Sequence, residues 1–223
     1  MCYSAASSMS AFLLSISSAF YLYMREYKYD RMLAMFFVSV GLMQLSEYYM
    51  WIDQGCGNVN NYASKLAFVV LAIQPIVLCY GLKRYNLVKN HEQLINTYLI
   101  LYLPITCYLV FKVFQYKKIC NTPDKNLGHL VWKASNMLRD NHLMVKQTWD
   151  ILYFMMFGLF VFIRPLNHAF IYIFLYLFTL LFALITTQSD VKLGMWKSAW
   201  CITTNIIPFL SIFIGSYFHN LKK

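Results

Sequence analysis

The run MLAMFFVSVGLMQLSEYYMWI, residues 32–52, lies between Arg31 and Asp53 and carries a single charged residue, Glu47. A membrane helix needs about 20 predominantly apolar residues, and this run supplies them. The same reading extends in both directions. Apolar stretches recur at about 5–24, 63–82, 93–112, 147–164, 166–188 and 196–218, most of them bounded by Lys, Arg, Asp or Glu. The sequence therefore predicts an all-α, polytopic membrane protein. The expected form is a seven-transmembrane-helix bundle, one domain over 1–223, with a short extramembrane loop or hairpin between helices four and five.

Composition agrees. Hydrophobic residues make up 60% of the chain and charged residues 13%, against roughly 45–50% and about 25% in soluble domains. Too little charge is present to build a water-facing surface. The net charge of +10 does not point to nucleic acid, because the Lys and Arg residues fall in connections between apolar runs, where they meet lipid head groups. The partner that composition implies is the lipid bilayer, and oligomeric state stays open.

The first span is not a cleavable signal peptide: it lacks a basic leader and its cations follow the apolar stretch. Ser7, Ala11, Ser15 and Ala19 repeat every four residues, a stripe on which a neighbouring backbone can approach closely. The one sizeable connection runs from about 115 to 147. Cys120-Asn-Thr-Pro-Asp-Lys125 reads as a turn and Leu127–Trp132 as the return of a short hairpin, with an amphipathic or irregular stretch around Met137–Met144.

Charge bias favours an outside or lumenal N-terminus and a cytoplasmic C-terminus. Arg25, Lys28, Arg31, Lys83, Arg84, Lys89, Arg164, Lys222 and Lys223 then lie inside, against Lys65, Lys192 and Lys197 on the short outer connections. The long connection evens the balance with Lys112, Lys117, Lys118, Lys125, Lys133, Arg139 and Lys146. Cysteines add weight, since Cys2, Cys56 and Cys120 fall on one side, where an oxidising exterior would act on them. A Cys56–Cys120 disulfide is expected, with Cys2 as the competing partner, because sequence does not fix connectivity.

Short motifs carry a resemblance. Met1-Cys-Tyr-Ser-Ala5, Met43-Gln-Leu-Ser-Glu47 with Trp51, Gln74-Pro75, and Trp196 with Ser198-Ala-Trp-Cys201 are similar to an uncharacterised seven-pass membrane protein family of large DNA viruses and protists. The resemblance implies a seven-helix fold and lends no activity.

The chemistry-bearing positions are polar groups at hydrocarbon depth. An ionisable residue there costs at least about 2.5–3.5 kcal/mol on insertion scales and usually faces the bundle interior. Glu47 stands out, sharing a helical face with Gln44 and Trp51. Gln74 precedes Pro75, whose missing N–H frees the Leu71 carbonyl one turn earlier. Asp150 opens the fifth span, and Lys197, Cys201, Thr204 or Asn205, and Pro208 follow a stripe of the seventh. Gln44, Glu47, Gln74, Asp150 and Asn205 are the candidate lining of an interior polar track. The bland reading of the same set is a hydrogen-bonded network that holds helices together.

Enzyme signatures are missing. The histidines at 91, 129, 142, 168 and 219 form no zinc pattern, and there is no nucleophile elbow or phosphate loop. Cys120, His129 and His142 match no compact metal spacing, and the seventh span lacks the deep lysine a retinal Schiff base needs. No catalytic residue, metal or cofactor is expected. The leading expectation is a non-enzymatic membrane protein binding or passing a small solute, proton or cation through the polar track. The alternatives are a structural or interaction protein of a viral or organelle membrane, then a membrane enzyme.

Overall fold

The computed structural model describes residues 4–25, 27–88, 91–123, 130–159, 174, 177, 181 and 207–213. It is all-helical, with α1 Ala5–Met24, α2 Lys28–Ile52, α3 Asn58–Arg84, α4 Glu92–Gln115, α5 Lys133–Asn141 and α6 Leu143–Gly158. Residues 207–213 are also helical. The sixth span, at 166–188, falls outside the described residues apart from helical positions 174, 177 and 181, and the seventh apart from 207–213. Cys2, Lys197, Cys201 and Asn205 lie outside them too.

Three helices, α1, α3 and α4, are long and apolar enough to cross a membrane. The chain is thus a membrane protein by the length and composition of its helices. Helix α2 does not join them, because Gln44, Ser46 and Glu47 dilute its C-terminal half. Its polar side chains are instead turned inward: Ser39, Gln44, Ser46 and Glu47 are all buried. Outward positions of the neighbouring helices are apolar, with Phe20 68%, Ile100 69% and Phe111 61% exposed. Polar inside and apolar outside is the arrangement a lipid solvent selects.

Short connections join α1 to α2, α2 to α3 and α3 to α4, which makes consecutive helices antiparallel neighbours. Helix α2 is the centre of this arrangement, packed along α1 on one side and α3 on the other. Small residues set the spacing. The Ser15 hydroxyl donates to the Phe37 carbonyl at 2.9 Å, and a Cβ at Gly41 would lie 3.1 Å from Ile16. At the other interface a Cβ on Gly81 would come within 2.8 Å of Met32. The small-residue stripe of α1 departs from a strict four-residue step. Ser8 is buried rather than Ser7, because Ser7 completes a capping box with Ser4.

Helices α3, α4 and α6 meet in a second seam, and short α5 lies across their end. The expected hairpin in the long connection is present in miniature, as an antiparallel bridge between Pro123 and Leu130, and the expected amphipathic stretch is α5. Helix α6 begins at Leu143, a turn before the expected start of the fifth span at 147. The residue that permits this is Lys146, described below.

Candidate functional site

Two buried polar centres and one extramembrane clasp organise the molecule. The first centre is on α2. Gln44 and Glu47 are each 0% exposed and lie one turn apart on the buried face of α2. Met43 and Met50 flank Glu47 at four and three residues, and both pack in a cluster with Ala63, Ala67 and Val70 of α3 and with Leu130 and Trp132 of the long connection. The neighbouring serines are spent on their own helix: Ser46 donates to the Leu42 carbonyl and Ser39 to that of Phe36. Around the C-terminal half of α2, the buried indole nitrogens of Trp51 and Trp132 have no acceptor among the described residues.

The second centre fills the α3–α4–α6 seam. Trp149 stacks on Phe68, Tyr102 and Tyr153, at centroid distances of 5.5, 6.3 and 5.5 Å. Its indole donates to the Thr106 hydroxyl at 3.0 Å. Tyr153 donates to the Gln74 side-chain carbonyl at 2.5 Å, and Tyr98 donates to the Leu152 carbonyl at 3.0 Å. Lys146 is 2% exposed. It is paired with Asp150 at 2.6 Å and stands 4.8 Å from the centre of the Trp149 ring, so both its charge and its stem are accommodated.

The turn before Pro75 receives a donor from a neighbouring helix. The Tyr102 hydroxyl donates at 2.9 Å to the carbonyl of Ala72, three residues before the proline, rather than to that of Leu71. A proline ring displaces the helix turn that precedes it, so its effect reaches the adjacent carbonyl as well.

The clasp lies at the opposite end of the molecule from Arg25, Lys83 and Arg84. Cys56 in the α2–α3 turn is joined by a disulfide to Cys120 after α4, with Cα atoms 5.3 Å apart. Beside it, buried Asn60 donates to the carbonyls of Met50, Asp53 and Asn121. The Asn60 side-chain oxygen accepts from the Asn121 backbone N–H and from Ser64. Asn121 in turn accepts from the Lys133 backbone N–H at 2.8 Å, and Asn61 accepts from that of Ile119. Asp53 caps α3 from outside, accepting from the N–H groups of Gly57 at 2.9 Å and Asn60 at 3.0 Å. These bonds, that from Asn60 first, hold its carboxyl below the usual carboxylate range. A Cβ on Gly57 would fall 2.6 Å from the Asp53 carboxylate, which is why the cap position is a glycine.

No family model matches this chain, and no curated protein or solved structure does.

Of the residues singled out from sequence, Gln44 and Glu47 sit together on α2. Gln74 and Asp150 belong to the α3–α6 seam, linked through the Trp149 and Tyr153 face of α6. Asn205 lies outside the described residues. Lys146 corrects the sequence reading, which counts it as a loop charge. Its acidic partner one helical turn later and the aromatic ring between them allow it to be buried. The spacing Lys146–Trp149–Asp150 was the available signal. Asn60 and Asn121 carried none, since lone asparagines near turns are ordinary loop residues. Among the described residues no group of three or more His, Cys, Asp or Glu converges as a metal site would require.

Proposed function

We propose that this chain is a seven-pass membrane protein that binds or passes a proton, small cation or small solute along an interior route centred on Glu47. The observation that carries this reading is a carboxylic acid with 0% exposure in the central helix of a membrane bundle. A glutamine or asparagine would hold helices together at lower desolvation cost, so an acid at that depth favours a chemical use. Gln44 one turn earlier lies on the same buried face, and Asn205 would extend the route from the seventh span. The resemblance to the viral and protist seven-pass family supports the number of spans.

An outside N-terminus and inside C-terminus are part of the proposal. A disulfide between Cys56 and Cys120 suits an oxidising compartment, and the basic ends of α1 and α3 are at the opposite face. The Arg25 guanidinium donates to the Ile212 carbonyl at 2.8 Å, which supports a last helix ending on the same side as α1.

The test is flux through purified protein in liposomes, comparing the native chain with Glu47→Gln. Proton, alkali-cation or small-solute flux that disappears in the variant supports the route. A second reading, a bundle whose polar groups are only structural, is favoured by the closed bonding of Gln74, Tyr153, Trp149 and Thr106. No flux through the native protein, with an altered melting temperature in the variant, would select it.

A further inference from the structure

A groove of about 480 Å³ lies beside the basic C-terminal end of α3, lined by Ile76, Tyr80, Lys83 and Arg84 of α3 and Leu99 of α4. Its chemistry is graded. Ile76, Tyr80 and Arg84 follow one another at four-residue steps on one face of α3, so the groove changes from aliphatic to phenolic to cationic over about 12 Å at 1.5 Å per residue. Both walls belong to helices long and apolar enough to cross a membrane. The cationic end coincides with the end of α3, where the chain turns into a polar connection.

Among the described residues, no acidic side chain neutralises the cations there. Lys83 donates to the neutral side chain of Asn96 at 2.9 Å, and neither Lys83 nor Arg84 has an acidic partner among the described residues. Both are exposed. Ordinary interfacial cations would need no groove below them; here two positive charges stand directly over an apolar cleft open to the side. A group with an anionic head and a hydrocarbon tail matches that gradient in one molecule, and an arginine beside a lysine and a tyrosine hydroxyl matches a phosphodiester.

We infer that this groove is a binding site for an anionic phospholipid, whose phosphate is held by Lys83, Arg84 and Tyr80 and whose first methylenes lie against Ile76 and Leu99. The site is independent of the route through Glu47.

The experiment uses the full chain purified in mild detergent and measures lipid retention by native mass spectrometry. Phosphatidylglycerol and phosphatidylcholine of identical acyl chains are offered at equal concentration. Phosphatidylglycerol is expected to be retained preferentially. Lys83→Gln with Arg84→Gln is expected to reduce that preference roughly thirty-fold, the loss of two basic contacts of ordinary strength. Both residues are exposed, so the double variant is expected to melt like the native chain when lipid is absent. A second variant, Leu99→Trp, fills the apolar part without touching charge and is expected to lower retention as well. Equal retention of the two lipids, or an unchanged preference in the double variant, overturns the inference. So does inorganic phosphate competing as effectively as the lipid, which would assign the cations to a soluble anion.

Discussion

Lys146 and Asp150 form an ion pair of 2.6 Å across one turn of α6, with the lysine buried and the aspartate side chain 32% exposed. Removing one partner from a buried pair leaves an uncompensated charge, whereas replacing both with apolar groups does not. Asp150→Asn is therefore expected to destabilise the protein by roughly 2–3 kcal/mol, just under the range for a wholly buried pair. The double change Lys146→Met with Asp150→Leu is expected to cost less than the single one. Thermal melts of the three proteins in one detergent check the order, and a double variant less stable than Asp150→Asn would contradict it.

Asn60 joins the end of α2, the α2–α3 turn and the segment after α4 through one side chain. Asn60→Ala removes the donor to three backbone carbonyls and the acceptor of the Asn121 N–H, and a loss of about 2–4 kcal/mol is expected. The disulfide beside it is expected to become easier to reduce, because the segments it joins would separate more often. Thiol-labelling rates of Cys56 and Cys120 under dithiothreitol, native against variant, measure this.

Asp53 provides a pH signature. Its carboxyl is held below the ordinary carboxylate value in the folded chain by the N–H groups of Asn60 and Gly57. The sign follows: the folded state prefers the ionised group, so the contribution is fully present above the unfolded value. It is lost as pH falls through the lower folded one. Melting temperatures of native protein and Asp53→Asn are expected to differ at neutral pH and to converge as pH falls below the ordinary carboxylate range. Gly57→Ala should reproduce the Asp53→Asn curve, because the added methyl occupies the carboxylate's place.

Tyr102→Phe removes the hydroxyl that serves the Ala72 carbonyl above Pro75. A loss of about 1 kcal/mol is expected, with faster amide exchange confined to the turn of α3 before the proline. Exchange unchanged at 72–76 would mean that the carbonyl is satisfied in another way.

The helices were legible because hydrocarbon thickness and charge avoidance write themselves into runs of residues. Glu47 was legible for the same reason, as a violation of its own run. Lys146 was not, since a lysine beside a polar loop looks solvated until its partner Asp150 and the Trp149 ring are placed beside it. The Tyr102 hydroxyl that serves the Ala72 carbonyl was not legible, as periodicity locates the missing N–H of Pro75 but not the neighbour that reaches the turn. The Asn60–Asn121 node joins positions 61 residues apart, and nothing local marks either member.

The bond between Cys56 and Cys120 also changes what kind of object the polypeptide is. It encloses α3 and α4 with the connection between them, so the central part of the chain is a covalent ring with two tails. A protease that reaches the 85–91 connection would open the ring without dividing the molecule. The nicked protein would run as a single species until a reductant is added and would then fall into two pieces, one carrying α1 to α3 and the other everything from α4 onward.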